Sequence, residues 1–195
     1  MDERISSLST ELQKTADDAT AAFGKLSAEQ LNWKPAENSW SVAQCFDHLI
    51  TTHSLYFPLF ERMANGGAKA AFWEKASPFS GFFGRFLIKS MRPENTKKMK
   101  TTSKAQPSAS EIDGAIIGRF AEHQNQMIEH LRRLPSDIDP VKTIITSPLM
   151  GLVTYSLDDC FTVLKVHCQR HCGQAKRVTE TDGFLNNFFE YREGK

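Results

Sequence analysis

Six residues of this chain have side chains suited to binding a metal as neutral imidazoles: His48, His53, His123, His130, His167 and His171. The informative pair is His167 and His171, in the string HCQRH. On an α-helix a spacing of four puts both rings on one face, about one turn apart. Two imidazoles presented side by side can share one cation, the arrangement that HExxH motifs use. The pair falls in a periodic run: Leu157, Phe161, Leu164, His167 or Cys168, His171, Ala175 and Val178. The two histidines therefore point towards a core, where an imidazole without a partner is costly. A metal satisfies them; so would hydroxyls, backbone carbonyls or water.

A third ligand has to come from another helix. At about 100° per residue, His53 falls near the middle of the apolar stripe of the second helix, and His48 falls on its flank between Leu55 and Leu59. Periodicity slightly favours His53 and does not exclude His48. His123 and His130 share a face among Glu122, Gln124, Gln126 and Glu129, which predicts an exposed position for both. Asp47, Gln44 and Gln174 are the polar residues placed to support a histidine site from behind.

Four helices must position these residues. The first is predicted over 3–24, with Ile5, Leu8, Leu12, Ala16, Ala19 and Phe23 at helical spacing and Gly24 at its end. A connection over 25–38 follows. Ser41 and Gln44 form a capping-box pattern, with Trp40 placed as a hydrophobic staple. That second helix should reach about Asn65 before Gly66 and Gly67, kinked or split by Pro58. Residues 66–107 read as irregular, and so long a connection between bundle helices suggests a cover or a crossover. Ser108 and Glu111 repeat the capping-box pattern and predict a third helix as far as Leu134. After a linker over 135–155, the fourth helix should run from Ser156 to Thr179, with Asp158 and Asp159 in its first turn.

The totals agree with one ordinary globular domain over 1–195. Of the 195 residues 40% are hydrophobic and 24% charged, and the formal net charge is +1. That balance gives no reason to expect nucleic acid as a partner. No apolar run approaches the length of a bilayer span, and MDERISSLSTELQK is not a secretory signal, so no membrane insertion and a cytoplasmic location are expected. The cysteines Cys45, Cys160, Cys168 and Cys172 are then expected to be reduced. Between 79 and 104 an aromatic cluster (Phe79, Phe82, Phe83, Phe86) precedes basic residues, among them Arg85, Lys89, Arg92 and Lys97. Such a tract can dock on anionic membranes or nucleic acid. A solvated loop whose aromatics cover the open end of the bundle is the simpler expectation.

Three stretches, in order, resemble the DinB-like (damage-inducible, YfiT-like) superfamily. WKPAENSWSVAQCFDHLI is similar to a W-x-P…WS…HL segment, with its histidine at His48. SPLMGLVTYSLDDCFTVLKVHCQRHCGQAKRV is similar to the closing helix, with its H-x-x-x-H at His167 and His171. The long 66–107 connection matches the crossover of that family. The resemblance implies an all-α, up-up-down-down four-helix bundle with the crossover between its second and third helices. It also implies a homodimer and a zinc, nickel or iron site formed by His48, His167 and His171. Relatives of this kind include transferases acting on low-molecular-weight thiols, so a metal-dependent thiol S-transferase or hydrolase with a small-molecule substrate is one expectation. A non-catalytic metal- or ligand-binding bundle with a stress-related role is the alternative.

Overall fold

Helical spacing of apolar residues becomes buried surface throughout. The protein was analysed as a computed structural model, which describes residues 3–67, 80–95, 105–108 and 111–184. The first helix, α1 (Glu3–Phe23), buries Ile5, Leu8, Leu12, Ala16, Ala19 and Phe23, the stripe its sequence predicts. A single turn of helix, α2 (Ala28–Asn32), interrupts the following connection, capped by Ser27 and Gln30. The second bundle helix is split as Pro58 predicts, into α3 (Val42–Ser54) and α4 (Phe57–Ala64), with the proline in the first turn of α4 where its missing N–H costs nothing. At the start of α3 the capping box is formed: the Ser41 hydroxyl accepts from the Gln44 N–H at 3.1 Å, and Gln44 Oε1 accepts from the Ser41 N–H at 3.2 Å.

Three expectations change beyond this point. The stretch expected to be irregular contains a helix, α5 (Ser80–Met91). It turns Ser80, Gly84 and Leu87 inward and leaves Phe82 and Phe86 61% and 56% exposed, so those two aromatics do not cover the bundle. Phe79 and the basic residues from 96 to 104 lie outside the described residues. The third bundle helix, α6 (Ile116–Arg132), starts eight residues after Ser108. Glu111 instead adopts a left-handed backbone at φ 56°, and the Ile112 N–H donates to Asn32 Oδ1 at 2.9 Å. The stretch expected to be a plain linker forms a hairpin of β1 (Ile144–Thr146) and β2 (Thr154–Ser156), antiparallel with Ile145 opposite Tyr155. The last helix, α7 (Leu157–Thr179), runs as predicted, its first turn capped by Ser156.

α1 packs on α6 and α7, and α3 packs on the same two, so α1 and α3 stand at opposite corners of a four-helix bundle. Arg4 pairs with Asp158 at 2.8 Å and Glu11 with Lys165 at 3.2 Å, a step of seven residues in both helices, so α1 and α7 run parallel. His53 meets His167 while His48 meets His171, so α3 runs against α7. Phe46 packs on Phe120, and Phe57 on His130 further on, so α3 and α6 run the same way. The all-α bundle and its crossover between the second and third bundle helices are as expected. The helix directions correct the expected up-up-down-down order to up-down-down-up. The consecutive parallel pair, α3 and α6, is the pair joined by the longest connection. Among the described residues no helix is long and apolar enough to cross a membrane.

Candidate metal centre

α3 and α7 meet at their histidines. His48, His167 and His171 are all buried, and one ring nitrogen from each lies within 4.8 Å of the others. His48 Nε2 and His167 Nε2 are 3.1 Å apart, and the His48 and His171 ring centres are 4.6 Å apart. Two imidazoles bound to one tetrahedral ion at bonds of about 2.0–2.1 Å would hold their nitrogens about 3.4 Å apart. The spacing suits a shared cation.

The opposite ring nitrogens decide which atoms face inward. His48 Nδ1 lies against the Ala105 carbonyl, which can only accept, so this nitrogen carries the hydrogen. His171 Nδ1 lies 3.1 Å from Gln174 Oε1, and His167 Nδ1 lies 3.0 Å from His53 Nε2. In the tautomer in which His167 and His171 also donate outward from Nδ1, to His53 and Gln174, their Nε2 lone pairs are left free beside that of His48, the state that metal binding requires. In that tautomer the His48 and His167 lone pairs face each other at 3.1 Å, and a cation between them turns their repulsion into attraction. The donor set therefore fits a divalent ion with borderline preferences.

Burial keeps these rings neutral. It holds the His48 and His167 pKa values below the ordinary imidazole value, the latter well below, and lowers that of His171 to about 3. Neighbouring imidazoles push His167 and His171 the same way, whereas the hydrogen bond to Ala105 partly opposes the shift at His48. Neutral imidazole is the ligating form, so the site is ready for metal at neutral pH.

The polar residues predicted to stand behind the site divide by role. Gln174 supports His171 directly. Asp47 Oδ2 accepts from the Ser108 N–H at 2.7 Å and Gln44 Nε2 donates to the Ser108 carbonyl at 3.0 Å. These two residues anchor the segment whose Ala105 carbonyl orients His48. His53, which periodicity placed at the centre of the stripe, is 1% exposed and lies behind His167. Its own Nδ1 is 4.0 Å from Cys168 Sγ, which Gln124 Nε2 approaches at 3.9 Å. His123 corrects its predicted exposure: it is buried, hydrogen-bonded to Ser54 through Nε2 at 3.1 Å and stacked on Phe57. Glu122, Gln126 and Glu129 face outward on α6, whereas Gln124 is itself buried. His130 is half-buried on the other side of Phe57.

A cavity of about 580 Å³ opens onto the histidines, walled by α3, α5, α7 and the turn after β1. Trp40 reaches over its edge, its ring 5.5 Å from that of His171 and 4.9 Å from that of His48. Read from the sequence as a staple, this tryptophan packs on two imidazoles of the site. Sequence reasoning also missed Arg170 and Arg177, which line the same cavity from α7. Arg170 donates to the carbonyls of Ser90, Arg92 and Asn95, fastening the end of α5 beside the site. The signal was present: Arg170, Gln174 and Arg177 are spaced i, i+4, i+7, a helical face adjoining that of the histidines.

All four cysteines are free thiols. Burial raises the pKa of each, that of Cys172 to about 12, so none is a thiolate at neutral pH.

Comparison with known proteins gives a family and nothing finer. No curated protein and no solved structure matches the chain. A family profile described as the DinB superfamily matches residues 11–175, a span that runs from within α1 through both histidine-bearing helices. With that span covering most of its length, the chain belongs to the DinB superfamily.

Proposed function

We propose that His48, His167 and His171 bind one divalent metal ion through their Nε2 atoms, and that the protein is a metal-dependent enzyme acting on a small molecule held in the adjoining cavity. The observation that supports this most directly is that each Nδ1 has a partner on its outer side while one ring nitrogen of each histidine lies within 4.8 Å of the others. Three protein ligands are the number found where a metal keeps a position for substrate. Zinc, nickel and iron all suit an imidazole set. When bound, such an ion acidifies a water or thiol at its remaining position, the chemistry of a hydrolase or a thiol S-transferase.

The residues of the chain supply the rest. Ala105, His53 and Gln174 fix the three ring orientations. Trp40 covers two imidazoles and keeps water from one side of the site. The low pKa values keep protons from competing with the ion for the ligands. A thiol nucleophile would come from a cosubstrate, because the chain's own thiols are protonated at neutral pH. The family resemblance adds a homodimer, which sedimentation of the purified protein tests.

Metal analysis of the wild type and of His48→Ala, His167→Ala and His171→Ala tests the centre. Near-stoichiometric metal in the wild type and equal loss in all three variants are expected. Metal retained in any one of them removes that residue from the site. Turnover is then tested with a panel of thiols and electrophiles. A metal whose removal melts the fold, with no turnover of any thiol, would favour a non-catalytic binding protein.

A further inference from the structure

The walls of the cavity are unequal in charge. The charged residues lining it are Arg170 and Arg177, with the three histidines neutral, and no aspartate or glutamate is among the described residues that line it. A cavity with cationic walls and no acid selects against cations and in favour of anions.

Position sharpens the argument. Arg177 Nη1 lies 3.5 Å from where a Cβ on Gly173 would stand, so the side chain folds back along α7 by about one turn. That puts the guanidinium level with Gln174 along the helix, on the flank of the cavity wall away from His171. Arg177 makes no ion pair among the described residues, whereas its neighbours on the exposed faces of α1 and α7 do: Lys165 pairs with Glu11 and Lys176 with Glu180. Gln174 commits its oxygen to His171, which leaves its amide N–H groups as further donors beside the arginine. Gln174 and Arg177 stand i, i+3 on α7 and both line the cavity, and a planar guanidinium fork is suited to a carboxylate or phosphate, which it can bind through two parallel hydrogen bonds.

We propose that Arg177, with the Gln174 amide beside it, forms an oxyanion subsite, so that the substrate of the proposed metal centre is a small organic anion whose carboxylate or phosphate lies against Arg177 while its reacting end faces His48, His167 and His171. This inference rests on the metal-centre reading for the orientation of the ligand, and on the cavity alone for its charge. Arg170 is a positioning residue here, since it holds the end of α5 against the cavity through backbone carbonyls.

The test is calorimetric titration of the metal-loaded protein, at physiological salt, with succinate, with inorganic phosphate and with the uncharged succinamide. Binding of succinate or phosphate at least tenfold tighter than succinamide is expected, and the tighter of the two anions identifies the group. Arg177→Gln should weaken that binding tenfold or more with metal content unchanged, and Arg177→Lys should restore part of it. Because Arg177 is exposed on its outer side, its replacement leaves the core intact, and an unchanged melting temperature checks this. Equal affinity for succinate and succinamide, or an unaltered affinity in Arg177→Gln, overturns the proposal while leaving the metal centre standing. Anion binding that persists in metal-free His167→Ala but is lost in Arg177→Gln supports the subsite. If the wild type also takes up no metal, the proposed metal centre fails separately.

Discussion

His53 offers the sharpest test of how the site is built, because it touches a proposed ligand and is not itself one of the three. Its Nε2 lies 3.0 Å from His167 Nδ1 inside the bundle, at 1% exposure. Replacing it by alanine leaves the His167 N–H without an acceptor in a dry environment and frees that ring to turn or change tautomer. Loss of a supporting hydrogen bond of this kind lowers metal affinity by roughly 10–100-fold, about 1.4–2.7 kcal/mol. That range agrees with the roughly 1–3 kcal/mol cost of an unsatisfied buried donor. His53→Gln sets an amide oxygen near the position of the lost nitrogen and should recover most of the affinity. Competition against a chromophoric chelator reads the dissociation constant directly, and a thermal melt of the metal-free proteins separates lost affinity from lost fold. Undiminished affinity in His53→Ala would refute the reasoning. Complete loss of metal, matching His48→Ala, would make His53 a ligand and the proposed ligand set wrong.

Three further outcomes follow from the same coordinates. Burial lowers the His123 pKa to about 4, so this ring is neutral when folded and takes up a proton in the unfolded chain below about 6.5. Stability should therefore fall as pH drops from about 6.5 to about 4, by up to roughly 3 kcal/mol from this residue; denaturant melts at pH 7 and pH 5 should show a smaller difference in His123→Gln. With the His171 pKa lowered to about 3, proton competition for that nitrogen is weak at pH 5, so metal retained after dialysis should be nearly equal at pH 7 and pH 5. A Cβ at Gly84 would collide with the Asp159 carboxylate, so Gly84→Ala should destabilise the protein by about 1–3 kcal/mol, seen as a lower melting temperature.

The parts of the fold legible in the sequence are those set by local chemistry. Ser41 and Gln44 announce α3 because both halves of a capping box lie within one turn, and Pro58 announces the break because a proline inside a helix has few alternatives. Ser108 and Glu111 carry the same letters and mislead. Their segment is spoken for by distant partners, Ser108 by Gln44 and Asp47 and Ile112 by Asn32, and no local pattern reveals such competition. The hairpin escapes notice because three-residue strands are too short to show alternation.

The histidines divide in the same way. Spacing makes His167 and His171 visible as a pair. On α3, periodicity reports depth and not role. It put His53 at the centre of the stripe, where burial is complete and the ring serves another histidine. His48, on the flank, faces the cavity, the position a ligand open to substrate would need. His123 was misjudged because polar neighbours in sequence were read as neighbours in space, although on a helix adjacent residues point about 100° apart.

The hydrophobic surroundings of Cys45, Cys160 and Cys168 carry a consequence for chemical durability. Sulfur kept dry and protonated is a poor nucleophile and a poor target for peroxide, and no cysteine is among the described residues that line the adjoining cavity, so an electrophile there would meet no thiol. A catalyst that handles reactive thiols or electrophiles has reason to keep its own sulfur this unreactive.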